Sequence, residues 1–337
     1  MWRRHLPTVS PHYAVKANND PQLLRWLQAA GAQFDCASPP EMRQVLRVGA
    51  KPTDIIYAQP CKTVADVRTA QRLGVQNTVV DSVEEVLKLA EAGWRGGTLV
   101  RLLVPDAGSA QPFSRKFGAP LSWVPDILYA LKHSGQRHVG WSFHVGSGCH
   151  TPAQFRQAIE LAATADTKAA KPAELMDIGG GFLPEAAAFI PAAEAIRDAQ
   201  RLFPETTRWI GEPGRFLCAP TVTAEVAVIG KKRMTDGQPG YRYTLGAGIY
   251  GIFSSIPFDG FKPQFDPIAP DSHTRPRAIA ALYGPTCDSA DCLGTGLTLP
   301  ELHVGDWLRV QDMGAYTHVS ATRFNGMSIG KRIYEEA

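Results

Sequence analysis

The sequence predicts an α/β fold, a (β/α)8 TIM-like barrel over residues 1–221 followed by a mostly β domain over residues 222–337. Three observations carry that expectation. Eight short apolar runs recur along the first part of the chain, and amphipathic stretches with helical spacing separate them. From about Thr221 onward the alternation gives way to short runs rich in β-branched residues, Gly and Pro.

The runs lie at 13–16, 33–36, 55–58, 78–80, 99–104, 139–144, 175–178 and 208–211, each of strand length. Helical spacing marks 21–30, 40–48, 63–73, 83–92, 123–133, 152–163 and 192–203. Several of these open on capping residues and close at glycine, as in Asn19-Asp20-Pro21 to Gly31, Ser38-Pro39-Pro40 to Gly49 and Asp81-Ser82 to Gly93. The same alternation allows a doubly wound open sheet, which stands as the alternative. In the second part, 223–229, 242–245 and 307–311 read as strands, and the proline-rich stretch 259–277 reads as a long loop of the kind that often carries function.

A chain of 337 residues suits a barrel plus a smaller domain. Its formal net charge of +3 is spread out with no long basic tract, which gives no electrostatic case for a nucleic-acid partner. No apolar stretch is long enough to span a bilayer, so no membrane partner is expected. The start, Met1-Trp2-Arg3-Arg4-His5-Leu6-Pro7, lacks the apolar core of a signal peptide, and a cytoplasmic protein is expected. Cys36, Cys61, Cys149, Cys218, Cys287 and Cys292 show no paired ligand spacing, which argues against a disulfide framework and against a metal site.

In a barrel the catalytic groups gather at the carboxyl ends of the strands. Lys16 falls at the end of the first run, His144 at the sixth, Gly179-Gly180-Gly181 at the seventh and Glu212 at the eighth, so all should meet at one mouth. The glycines, with Gly214-Arg215 in the next loop, suit a phosphate, because backbone N–H groups can approach its oxygens there. A carboxylate such as Glu212 suits a pyridine nitrogen, and the His144 imidazole suits the face of a flat ring. Together with the Lys16 amine, these groups fit pyridoxal 5′-phosphate. Taken singly, each has a plainer reading: a solvated strand end for Lys16, a flexible turn for the glycines, a solvated acid for Glu212 and a satisfied core residue for His144.

The chain resembles the ornithine decarboxylase family, the barrel-type (fold type III) pyridoxal-phosphate-dependent decarboxylases of basic amino acids. This group also includes diaminopimelate decarboxylase and shares its fold with alanine racemase. The resemblance runs from about Leu6 to Arg332 and rests on Tyr13-Ala14-Val15-Lys16, Phe34-Asp35-Cys36-Ala37-Ser38, Ile56-Tyr57-Ala58, Phe143-His144-Val145-Gly146-Ser147-Gly148-Cys149, Asp177-Ile178-Gly179-Gly180-Gly181-Phe182, Glu212-Pro213-Gly214-Arg215, Gly284-Pro285-Thr286-Cys287-Asp288 and Asp312-Met313-Gly314-Ala315-Tyr316. It implies that Lys16 holds the cofactor covalently, Glu212 pairs with the pyridine nitrogen and His144 stacks on the ring. Ser147, Gly181, Arg215 and Tyr316 would grip the phosphate, with Asp35 and Glu41 in support. It also implies a homodimer in which Cys287, Asp288 and Phe324 act across the interface, Cys287 returning a proton to Cα. Asp259 and Asp288 would bind the distal amine of a basic amino acid, most simply ornithine. Lysine, another or modified diamino acid, and a non-catalytic regulatory homologue are the alternatives the resemblance leaves open.

The match departs from the family in two places. Pro112 stands where the family has an arginine, in Gln111-Pro112-Phe113-Ser114-Arg115-Lys116-Phe117-Gly118, and Arg115 is the nearest candidate to replace it. Phe258 stands where tyrosine is common, ahead of a shortened Asp259-Gly260-Phe261-Lys262-Pro263.

Overall fold

Eight parallel strands close into a barrel: β1 (Val9–Ala14), β2 (Gln33–Cys36), β3 (Ile55–Tyr57), β4 (Asn77–Val80), β5 (Gly97–Arg101), β6 (Arg137–Ser142), β7 (Leu175–Asp177) and β8 (Arg208–Gly211). The computed structural model describes residues 1–234 and 239–335. Closure is set by β1, which pairs with β2 through His12↔Gln33 to Ala14↔Asp35 and with β8 through Val9↔Trp209 to Pro11↔Gly211. A doubly wound sheet leaves its edge strands open, so this double pairing removes that alternative.

Ile56, Val79, Leu99, Val139, Leu175 and Ile210, one from each of β3 to β8, form a buried apolar cluster that ties the barrel together. Helices alternate with the strands, and the caps suggested at Asp20 and Ser82 form, whereas Ser38 makes no side-chain capping bond at helix Pro39–Arg47. Asp20 accepts from the N–H groups of Gln22 and Leu23 at the start of helix Pro21–Ala29, with Pro21 at the position where a missing N–H costs nothing. Ser82 caps helix Val83–Ala92 by accepting from Glu85 N–H, and Gly93 closes it at φ +76°.

Two elements of the barrel depart from the sequence reading where a proline lies inside them. The first strand begins at Val9, before the apolar run at 13–16, and ends at Ala14, because Pro11 lies inside a paired strand. Lys16 therefore sits on a single 3-10 turn, Val15–Ala17, just beyond the strand. The last barrel helix spans Ala186–Gln200 with Pro191 inside it, where the periodicity had suggested a start after that proline.

Two compact units divide the chain, Met1–Leu217 and Cys218–Ala337. The second unit is a six-stranded sheet of β9 (Ala224–Arg233), β10 (Gly240–Leu245), β11 (Asp266–Pro267), β12 (Arg277–Tyr283), β13 (Cys292–Pro300) and β14 (Trp307–Val310), in the order β11-β14-β9-β10-β12-β13. Among the described residues only the β10–β12 pairing in this sheet is parallel. Val226, Val228, Tyr243, Leu245, Phe253, Leu282, Leu308 and Val310 are among its core residues. Strands β12 and β13 lack a clear sequence signal: Arg277-Ala278-Ile279-Ala280-Ala281-Leu282-Tyr283 is rich in alanine, and Cys292–Pro300 carries two glycines. The 259–277 stretch is irregular apart from β11 and a 3-10 turn at Ser272–Thr274. No helix among the described residues is long and apolar enough to cross a membrane.

Candidate active site

At the carboxyl end of the barrel, Lys16 Nζ donates to Asp35 Oδ2 at 2.7 Å; the lysine side chain is 40% exposed and that of Asp35 1%. The turn that carries Lys16 and the end of β2 that carries Asp35 are brought together by the β1–β2 register. Nearby, Glu41 Oε2 accepts from Ala37 N–H at 2.6 Å, and burial raises the Glu41 carboxyl above its usual range. Asp35 thus holds the Lys16 amine, and Glu41 holds the chain just after Asp35.

Glu212 follows β8 directly and is buried, its N–H donating to Gly179 O at 2.6 Å. Burial first, then the charges of Asp177 and Asp35, raises its carboxyl well above the ordinary range. Two buried oxygens in this mouth, Asp35 Oδ1 and Glu212 Oε1, have no hydrogen-bond partner among the described residues. Unpartnered buried acceptors of this kind are costly and mark a place where a donor is meant to arrive.

His144 lies two residues beyond β6. Its Nδ1 accepts from Gly146 N–H at 3.0 Å, and burial, then the charges of Arg101 and Lys16, push the ring well below its usual pKa. The imidazole is therefore neutral. Phe113 packs against it with ring centroids 4.8 Å apart.

The glycine run has little room for side chains. A Cβ on Gly179, at φ +61°, would stand 2.2 Å from Phe143 O, and one on Gly180 would stand 2.8 Å from Glu212 O and 2.9 Å from His144 Nε2. These close approaches bring the loop after β7 against those after β6 and β8. Gly214 is buried, while Arg215 opens a short helix, Arg215–Cys218, and is half-buried. Ser147 begins a strand, Ser147–Cys149, that pairs antiparallel with Ser109–Gln111 over this end of the barrel.

In the second unit the structure gathers a different set. Asp288 accepts from the Tyr250 hydroxyl through Oδ2 and from Ala290 N–H at 2.9 Å through Oδ1, and these two bonds hold its carboxyl below the usual range. Tyr250 packs on Phe324 with centroids 4.5 Å apart, and Cys287 N–H donates to Asn325 Oδ1 at 3.0 Å. Cys287, Asp288 and Phe324 thus form one cluster, with an exposed Cys287 thiol. Asp259 ends helix Ser255–Asp259, closed by Gly260 at φ +67°. Tyr316 holds an uncommon backbone conformation for a non-glycine residue, φ +56°.

Four residues that the sequence reading passed over matter here. Arg101 closes β5, faces Glu212, Asp81, Asp177 and Asp35, and was legible only as an arginine ending an apolar strand. Asp177 ends β7 beside Glu212 and was hidden inside the glycine string. Tyr250 orients Asp288, and the buried Asp291 accepts from Ile249 N–H, Thr286 N–H and Thr286 Oγ1 at 2.8, 3.1 and 2.7 Å, fixing the loop that carries Cys287. At Pro112, where the resemblance led us to expect an arginine, Arg115 is exposed, and the loop is held by Asp106, which accepts from Phe113 N–H and Ser114 N–H. Among the described residues no group of three or more His, Cys, Asp or Glu could hold a metal ion.

Comparison with known proteins agrees with this geometry. A family model described as the pyridoxal-binding domain of pyridoxal-dependent decarboxylases matches residues 1–219. Ornithine decarboxylase of Caenorhabditis elegans is 37% identical over 97% of this chain and 82% of its own length. The crystal structure of an arginine decarboxylase from Paramecium bursaria Chlorella virus bound to agmatine superposes with a TM-score of 0.92 at 33% identity, covering 97% of this chain and 90% of that one. A lysine/ornithine decarboxylase from Vibrio vulnificus complexed with cadaverine gives 0.88 at 33% identity, covering 97% and 86%.

Proposed function

This chain belongs to the pyridoxal-dependent decarboxylases and is a pyridoxal 5′-phosphate enzyme acting on basic amino acids; from that premise we propose that its substrate is L-ornithine, cleaved to putrescine and carbon dioxide for polyamine biosynthesis by a cytoplasmic homodimer. The barrel mouth fits the cofactor by the chemistry of its donors and acceptors. It offers a primary amine, an unpartnered buried carboxylate oxygen, a neutral ring and a glycine-lined turn. When bound, pyridoxal 5′-phosphate supplies the electron sink for the pair left behind when the substrate carboxylate departs as carbon dioxide.

The chain's own residues supply position and protons. Lys16 Nζ would hold the cofactor through its aldehyde carbon, with Asp35 orienting that amine. Glu212 Oε1 would accept from the ring nitrogen and keep it protonated. His144 would offer a neutral ring face, which avoids a second positive charge beside the ring. Ser147, Gly179, Gly180, Gly181, Gly214 and Arg215 would hold the phosphate. Cys287 Sγ returns a proton to the substrate Cα, and Asp259 and Asp288 accept from its distal ammonium. In the proposed dimer Cys287, Asp288 and Phe324 of one protomer serve the site of its partner.

The observation that carries this reading is the 2.7 Å Lys16–Asp35 contact in the same mouth as the unpartnered Glu212 Oε1. A carbon dioxide release assay over ornithine, lysine, arginine and diaminopimelate tests it, with ornithine expected to give the highest kcat/KM. A longer or modified diamino acid is the second reading. It is favoured by Phe258, which stands 73% exposed just before Asp259 and the turn at Gly260. Release from none of the four, with no cofactor absorbance in the purified protein, would return the regulatory reading.

A further inference from the structure

Asp177 is fully buried at the end of β7 and is engaged on both oxygens, Oδ1 accepting from Gly179 N–H at 2.9 Å and Oδ2 from Ser142 Oγ at 3.2 Å. Its carboxyl also lies in hydrogen-bond contact with that of Glu212. Two ionised carboxylates are acceptors only, so a hydrogen bond between them requires a proton on one. The surrounding charges give the same answer. Asp35 from β2, Lys16 from the turn after β1 and Arg101 from β5 face the pair, Asp81 faces Arg101, and His144 is neutral. Lys16 is already paired to Asp35, and Arg101 also meets Asp35 and Asp81, so a second full negative charge on the pair has no dedicated cation. Burial pushes Asp177 up to about 6 and raises Glu212 further from its ordinary value.

We propose that Asp177 is the positioning residue for Glu212: the two carboxyls share one proton at neutral pH, present a single negative charge, and leave Glu212 Oε1 to the ring nitrogen. This rests on the cofactor role proposed for Glu212. The device lets a deeply buried acid stay ionised on one face only, because the second oxygen is neutralised from behind by a neighbour that Ser142 and Gly179 hold in place. The Ser142 hydroxyl and Gly179 N–H fix the Asp177 plane, and the Asp177 plane fixes that of Glu212.

Infrared difference spectra of the cofactor-free protein test the shared proton directly. A protonated-carboxyl stretch is expected in the wild type at pH 7 and is expected to vanish in both Asp177→Asn and Glu212→Gln, since an amide opposite the remaining acid lets it ionise. Equilibrium dialysis of pyridoxal 5′-phosphate adds a second readout. Asp177→Asn, whose amide can donate as a protonated carboxyl does, should keep cofactor affinity close to wild type, whereas Asp177→Ala should weaken it roughly tenfold. A stretch that persists unchanged in both amide variants overturns the proposal. So does an Asn variant that melts like wild type yet binds cofactor as poorly as Ala. These readouts need no substrate, so failure of the ornithine assignment leaves them intact, and their failure leaves that assignment standing.

Discussion

The two units handle charge in opposite ways. In the barrel, burial raises Glu41, Asp177 and Glu212 above their ordinary range while lowering the buried His12 and the half-buried His138 to about 4. In the β unit Asp271, Asp288 and Glu301 stay near solvent and are lowered. Glu301 is held down by hydrogen bonds from Lys231 and then Tyr241, and Asp271 by Arg275, whose guanidinium is itself raised by bonds to Asp306 and Asp271. The same residue types are therefore tuned by desolvation in one unit and by partners in the other. A site that must polarise a ring needs the first arrangement. One that must recognise a flexible cationic chain end can use the second.

The sharpest way to break this contrast is Lys16→Ala. Removing the amine from the barrel mouth should lower turnover by roughly a thousandfold or more and abolish borohydride labelling at position 16 in peptide maps. Turnover surviving the substitution would mean that the barrel mouth is not where the chemistry occurs.

Acid unfolding reads the desolvation side. His12 takes up its proton at about 4 when folded and at 6.5 when unfolded, so the unfolded chain binds that proton first as the pH falls. Stability from keeping it neutral is complete above pH 6.5 and is lost between 6.5 and 4, amounting to about 3 kcal/mol. His12→Gln should flatten that part of the pH–stability curve in denaturant titrations by about the same amount.

Effects in the β unit should be smaller and fall on recognition. Asp288→Asn is expected to raise KM for ornithine roughly tenfold with a lesser change in kcat, since a neutral amide weakens the hold on the distal ammonium without touching the cofactor. Smallest of all should be Glu301→Gln. It removes the partner of Lys231 at 2.6 Å in a partly buried pair near the surface, and thermal melting should move only slightly, less at high salt than at low. A large shift there would show that partner-tuned surface charge carries more of the fold than the contrast implies.

Periodicity revealed the barrel because its strands are short apolar runs between capped helices, and Ser82 to Gly93 is a case where cap, helix and stop all coincide with the structure. It faltered where proline sits inside an element, at Pro11 in a paired strand and Pro191 in a helix, since local propensity argues against an element continuing through proline. The sheet strands β12 and β13 were obscured by alanine and glycine, whose burial depends on neighbours rather than on pattern. Within the site, residues whose type announces chemistry, such as Lys16, Glu212 and Cys287, stood out in the sequence. Asp177, Arg101, Tyr250 and Asp291 did not, because each acts on another side chain from a distant strand or turn, and only the folded register brings those partners within reach.

Asp291 bears on redesign. With Ile249 and Thr286 bonded to one buried carboxylate, and Gly248 and Gly284 packed so close to it that a Cβ on either would stand 2.1–2.2 Å away, the anchor beside Cys287 behaves as a rigid stop. Efforts to lengthen or shorten the accepted side chain should leave that stop alone and vary the turn at Phe258, Asp259 and Gly260, where a change of one residue alters reach without unfastening the acid at position 288.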